Sequence, residues 1–209
     1  MIEVRDLTQT YRSGKGVFDL NFTVKEGEVF GYLGPNGAGK TTTIRNLMGF
    51  TNADKGFATI NGIDCRNNAA SLQASIGYLP GEMAFFDNMT GIEFLKFIGD
   101  MRRTKDKKRR KDLLDKMELE PVGKIKKMSK GMKQKLGIIT AFMHDPSVYI
   151  LDEPSSGLDP LMQVKLMKLL EEEKSRGKTI LMSSHIFEEV QLICDRAGII
   201  RDGHIAVSY

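Results

Sequence analysis

Gly34-Pro35-Asn36-Gly37-Ala38-Gly39-Lys40-Thr41-Thr42 is the stretch on which the fold of this chain turns. Gly34, Gly39, Lys40 and Thr41 satisfy the phosphate-loop spacing G-x-x-x-x-G-K-[ST]. Its glycines permit backbone angles and close approach that a Cβ would block, so successive amides can surround phosphate oxygens. The flanks are what that chemistry needs. Phe30, Tyr32 and Leu33 end a short apolar strand before the loop, and Ile44, Leu47 and Met48 begin an amphipathic helix after it. The helix N-terminus aims about half a positive charge at the same point. Lys40 is placed to reach the β and γ phosphates of a nucleotide, and the Thr41 hydroxyl to bind Mg²⁺.

Outward from the loop, short β-branched or aromatic runs alternate with stretches of helical period. Strands are expected at Ile2 to Leu7, Val17 to Val24, Val29 to Leu33, Ala58 to Ile60, Ile76 to Leu79, Val148 to Leu151, Thr179 to Met182, Gly198 to Ile200 and Ile205 to Val207. Helices are expected at Lys40 to Met48, Ile92 to Met101, Asp106 to Met117, Lys130 to Met143, Leu161 to Lys174 and Ile186 to Ile193. This alternation implies a parallel sheet with helices packed on it, after an antiparallel β-rich start. Thr90 and Glu93 have capping-box spacing, so a helix should begin there. Leu161, Val164, Met167 and Leu170 fall on one helical face, which should dock on the sheet, and Gly177 is a natural stop for that helix.

Two further strand ends carry chemistry. The buried-strand run Val148 to Leu151 ends in Asp152-Glu153-Pro154. In an open parallel sheet the ligand lies at the carboxyl ends of the strands, where both carboxylates emerge. Asp152 can hold Mg²⁺, usually through water, and Glu153 can polarise the water that attacks a γ phosphate. Taken alone, the pair could equally terminate the strand. His185 follows Ile180-Leu181-Met182-Ser183-Ser184 on what should be the same edge, where it can hydrogen-bond a γ phosphate. His144 and His204 lack such placement and read as structural.

Composition bounds the rest. A chain of 209 residues fits one domain, and 41% hydrophobic with 28% charged residues is ordinary for a globular protein. Cys65 and Cys194 stand far apart in sequence and suggest no disulfide framework. Gly137 to Met143, among the longest near-apolar runs, falls well short of the roughly 20 residues a bilayer span needs. The first residues lack a basic region followed by an apolar one, so a reducing cytosolic setting is expected. The formal net charge of +4 hides an uneven distribution. Residues 102 to 135 hold 15 lysines and arginines against five acids, so this segment is +10 and the remainder −6. That segment reads either as a solvated helix face or as a surface for an anionic membrane leaflet or a permease loop.

With these motifs in this order, nearly the entire chain resembles the ATP-binding cassette family, specifically the ATP-binding subunit of ABC transporters. Gly34 to Thr42 matches its Walker A loop, Val148 to Glu153 its Walker B strand, Ser156-Gly157-Leu158-Asp159 its D-loop, and His185 its switch histidine. Tyr11 is similar to the aromatic residue on which adenine stacks. Met128-Ser129-Lys130-Gly131-Met132 resembles the signature Leu-Ser-Gly-Gly-Gln with three departures, of which Lys130 adds both charge and bulk. Ser129 can cap the helix that begins at Lys130, whose N-terminus then faces an anion. The family usually places a glutamine soon after a strand such as Ile76 to Leu79; here Glu82 stands there and could contact Mg²⁺, with Gln73 as the alternative.

The resemblance implies an α/β P-loop NTPase with a mainly parallel central sheet, an antiparallel β-rich flank and an α-helical insertion. It implies one domain over residues 1–209, with a nucleotide-binding core lobe at 1–82 and 144–209 and a helical subdomain at 83–143. Its cofactors would be ATP and Mg²⁺, held by Tyr11, Gly34, Pro35, Asn36, Gly37, Ala38, Gly39, Lys40, Thr41 and Thr42, with Thr41, Asp152 and Glu82 toward the metal. Glu153 and His185 would be catalytic. Two such subunits would sandwich ATP head to tail, each site completed by Ser129 and Gly131 of the other copy. The partners implied are that second subunit and a transmembrane permease, at the cytoplasmic face of the membrane, with no nucleic acid. The Gly81-Glu82 variant looks most like ATPases of drug, antibiotic or polypeptide exporters. Similar proteins commonly continue beyond Ile205-Ala206-Val207, so a C-terminal truncation is also expected. The rival readings are a soluble cassette ATPase acting on nucleic acid or ribosomes, and a nucleotide-binding regulatory module with little turnover.

Overall fold

The computed structural model describes residues 1–104 and 106–208. Lys105, within the basic run, lies outside the described residues. Four antiparallel strands form the flank: β1 (Ile2–Thr10), β2 (Gly16–Val24), β4 (Lys55–Ile60) and β5 (Ile63–Asp64), in the order β2-β1-β4-β5. The second sheet has the order β10-β9-β3-β8-β7-β6, built from β3 (Val29–Leu33), β6 (Ile76–Leu79), β7 (Val148–Asp152), β8 (Thr179–Ser184), β9 (Arg196–Arg201) and β10 (His204–Ser208). Every pairing in it is parallel except the β9–β10 hairpin. Parallel strands need long crossovers, and helices on both faces supply them.

The period-2 alternation of β7 and β8 splits the interior into two cores. Tyr149, Leu151, Ile180 and Met182 pack on one face; Val148, Ile150 and Leu181 pack on the other with Ile44, Leu47 and the flank residues Val4 and Leu20. α1 (Lys40–Leu47) follows β3 and buries Ile44 and Leu47 in that second core. Between β6 and β7 lie α3 (Gly91–Met101), α4 (Lys107–Lys116) and α5 (Lys130–Phe142), which feed the first core through Leu95, Leu113, Leu136 and Ile139. The expected capping box starts α3, with the Thr90 hydroxyl accepting from Glu93 N and the Glu93 carboxylate accepting from Thr90 N at 2.7 Å. β5 and α2 (Ala69–Ser75) are elements the periodicity did not reveal, being too short to show a period.

One helix face differs from expectation. In α6 (Pro160–Ser175), Met167 and Leu170 of the expected face are buried but Leu161 and Val164 are exposed, and the buried stripe is completed by Met162, Leu166, Leu169 and Glu173. A charged residue turns inward because the fold supplies its partners. Glu173, 2% exposed, accepts from Arg109 Nη2 at 2.9 Å, from Tyr149 Oη at 3.0 Å and from Arg176 Nη1 at 2.9 Å. Arg109 also donates to Phe142 O at 2.9 Å, so this network fastens α4 to α5, α6 and β7. Neighbouring Lys107, Lys108 and Lys111 remain exposed. Past the last turn of α6, Gly177 takes φ 75, the left-handed stop expected of it.

Candidate nucleotide site

Strand order brings the motifs together. β3 and β7 both pair with β8, in a register that sets Leu33 beside Ser184 and Asp152 beside Ser183. The phosphate loop, the acidic pair and His185 therefore leave the sheet at adjacent carboxyl ends. In the loop, Gly39 has φ 114, and a Cβ there would lie 2.6 Å from Val17 Cγ1, so both conformation and space require glycine.

Around the loop the polar contacts interlock. Lys40 Nζ donates to Gly34 O at 2.5 Å and to Pro35 O at 3.2 Å, and pairs with Glu153 Oε1 at 3.0 Å. Thr41 Oγ1 donates to Asp152 Oδ2 at 2.8 Å. Ser183 Oγ donates to Asp152 Oδ1 at 2.5 Å and accepts from Glu153 N at 3.0 Å, so one hydroxyl fixes both acidic residues. His185 Nδ1 lies 2.7 Å from Glu153 Oε2. Glu153 has φ 50, a left-handed conformation that costs a side-chain-bearing residue about 1–3 kcal/mol. It turns the carboxylate out of the strand and toward Lys40 and His185, where simple strand alternation would not place it.

A cavity of about 330 Å³ opens on this cluster, lined by Tyr11, Gly37, Gly39, Lys40, Thr42 and Glu153 among others. Tyr11 is half exposed, with its hydroxyl 3.4 Å from Thr42 Oγ1, so its ring stands at the mouth. Thr41 and Asp152 offer hard oxygen donors side by side, and no cluster of three or more His, Cys, Asp or Glu exists among the described residues to hold a metal alone. That donor set fits Mg²⁺, which keeps waters and phosphate oxygens in its shell and takes few protein ligands.

Other expected residues lie elsewhere. Ser129 caps α5, its hydroxyl accepting from Met132 N at 3.2 Å, but neither Ser129 nor Gly131 lines the phosphate cavity. Glu82 is exposed after β6 and does not line it either; its neighbour Gly81 packs against the Asp152 carboxylate. Gln73 is occupied in donating to Met48 O at the end of α1. Asp159, in the stretch resembling the D-loop, caps α6 through Met162 N. His204 stacks on Phe18 with ring centroids 5.2 Å apart. His144 accepts from Arg102 Nη1, and burial with that cation pushes it down to about 4. Ser183 escaped the sequence reading although it sits two positions before His185 at a strand end. Gln134 heads the stretch Gln134 to Ile138 that continues the family pattern after the signature, but the sequence assigned it no role; its Nε2 donates to Pro154 O at 2.8 Å.

A phosphate loop after a central parallel strand, with an acidic pair ending the strand two places along, defines an α/β nucleotide-binding fold of the P-loop class. Comparisons with known proteins narrow the class. The family model described as ABC transporter matches residues 17–156. The chain is 38% identical to the bacitracin transport ATP-binding protein BcrA of Bacillus licheniformis, over 98% of this chain and 68% of that one. It is 35% identical to an ABC transporter ATP-binding protein of Synechocystis sp., over all of this chain and 62% of the other, so it spans less than two thirds of that relative. A solved ATP-binding subunit of an ABC transporter superposes with a TM-score of 0.91 at 31% identity, covering all of this chain and 89% of that structure. The chain belongs to the ABC transporter family, as an ATP-binding subunit.

Proposed function

We propose that this chain hydrolyses ATP to ADP and phosphate and that this turnover powers a membrane transporter. The observation that carries the reading is the linked set Thr41, Asp152, Ser183, Glu153 and His185 at the phosphate loop. Loop amides and Lys40 would hold the β and γ phosphates, while Tyr11 at the cavity mouth would take the adenine face. Mg²⁺ held by Thr41 and Asp152 would offset phosphate charge. Glu153 would accept a proton from the attacking water as the γ phosphoryl leaves ADP. His185, against the other carboxylate oxygen, would orient Glu153 and reach the γ phosphate.

Ser129 and Gly131 present a capped helix N-terminus away from their own phosphate loop, which suits a second copy arranged head to tail. ATP would close this pair and hydrolysis would reopen it, driving a permease. Among the described residues no helix is long and apolar enough to cross a membrane, so the spanning part would be that partner, with this chain at the cytoplasmic face. Similarity to a bacitracin transport protein favours export.

The test is phosphate release from ATP with and without Mg²⁺. Release that needs Mg²⁺ supports the reading, nucleotide binding without release supports a regulatory module, and absence of nucleotide binding overturns both. A salt-sensitive gel shift with DNA or RNA would instead favour the nucleic-acid ATPase reading.

A further inference from the structure

α5 begins at the residues expected to serve a second copy, and one turn further in it touches the catalytic carboxylate's own backbone. Gln134 is 4% exposed, and its Nε2 donates to Pro154 O at 2.8 Å and lies 3.5 Å from Glu153 O. On the other side of Glu153, Ser183 Oγ accepts from Glu153 N at 3.0 Å. The left-handed turn at Glu153 is thus clamped from two directions, by β8 and by α5. A further contact joins the same elements: a Cβ on Gly131 would lie 3.0 Å from Gly157 O, and the Lys130 stem lies along Gly157. Ser129, Gly131 and the Glu153 turn therefore form one packed unit, although only Glu153 faces its own phosphate loop.

We propose that Gln134 is a positioning residue that makes the aim of Glu153 depend on what the N-terminus of α5 holds. This rests on the reading above, in which that N-terminus engages the other copy's nucleotide. A phosphate drawn onto α5 shifts the helix, and the buried Gln134 amide carries Pro154 O, and with it the turn at Glu153. Each site then becomes competent when its own chain has engaged the other site, which couples two hydrolyses through a single hydrogen bond. Small displacements matter here, since a general base must lie within hydrogen-bond reach of its water.

Gln134→Met keeps length and volume but removes the donor. Its kcat should fall by roughly 10- to 100-fold while nucleotide Kd stays within about twofold. Combined with Glu153→Gln it should add no further loss, because both act through one carboxylate. A kcat within about twofold of wild type, or losses that multiply in the double variant, would overturn the proposal. Should Gln134→Met fold poorly, Gln134→Glu gives a second reading. A carboxyl group donates to Pro154 O only when protonated, so turnover relative to wild type should rise as pH falls from about 8 to about 6. A flat ratio would overturn the proposal. A wild type that hydrolyses nothing overturns the functional reading and this one with it. A hydrolysing wild type with an unaffected Gln134→Met overturns this inference alone.

Discussion

Lys40 and Glu153 form an ion pair of 3.0 Å with side chains only 6% and 18% exposed, joining the phosphate loop to the end of β7. The same lysine donates to Gly34 O and Pro35 O, so its ammonium is shared between the loop that holds phosphate and the carboxylate that would activate water. In the proposed function, a γ phosphate approaching Lys40 would compete for that ammonium and so free Glu153 Oε1 for a water molecule.

Glu153→Gln keeps the shape of the side chain and removes its basicity. Hydrolysis should fall by roughly 10²- to 10⁴-fold, the scale for loss of a general base, while ATP binding persists. Size-exclusion chromatography with ATP and Mg²⁺ should show a trapped dimer. Unchanged turnover would remove the catalytic role from Glu153.

Ser129 separates capping from recognition. Ser129→Ala should destabilise the protein by about 0.5–2 kcal/mol in urea unfolding, because Met132 N loses its acceptor. Ser129→Asp restores that acceptor but adds negative charge where a phosphate is expected. It should melt near wild type and fail to dimerise with ATP. An Asp variant that dimerises normally would exclude phosphate recognition at this turn.

At Glu173, Glu173→Gln leaves the half-buried Arg109 facing a neutral amide, while Asp145 still pairs with Arg109 and with the more exposed Arg176. Breaking a fully buried pair costs about 3–5 kcal/mol, and with Asp145 and solvent left to the arginines the loss should be about 1–3 kcal/mol, which urea unfolding would read directly. A loss well under about 1 kcal/mol would mean solvent already screens the network.

His144 sets an acid limb of stability. Its folded value of about 4, depressed by burial and by Arg102, lies below the ordinary 6.5, so the unfolded chain binds more protons between the two values. Stability is therefore complete above about pH 6.5 and declines as pH falls toward about 4, by roughly 1–3 kcal/mol given its partial contact with water. His144→Gln should flatten thermal-melt midpoints across that window. Asp145 titrates lower: burial raises it, but hydrogen bonds from Arg176 and Lys178 outweigh burial and hold it at about 2, so its contribution is lost only between about pH 4 and pH 2. The two groups are thus separable in one pH series.

Elements whose causes are local could be read from the sequence. The phosphate loop, the Thr90 capping box, the Ser129 cap and the Gly177 stop each depend on residues within a few positions, so spacing alone exposes them. The expected α6 face held for Met167 and Leu170 but not for Leu161 and Val164, for the opposite reason. All four satisfy a helical period, but Leu161 and Val164 stay in solvent while Glu173 is buried against Arg109, 64 positions away. Periodicity counts apolar residues and cannot see a cation arriving from another helix.

The amino-acid sequence by itself determined that a phosphate-binding loop follows an apolar strand, that two acids end another, and that a histidine follows a third. Only the tertiary structure decided how these meet. Strand order places Ser183 2.5 Å from Asp152 across 31 positions of chain and brings Gln134 within 2.8 Å of Pro154 across 20. It also supplies the contacts that hold Glu153 in a left-handed turn and aim it at Lys40. Backbone spacing is a property of neighbours along the chain, whereas the aim of the Glu153 carboxylate depends on strands and helices that meet only when the sheet is assembled.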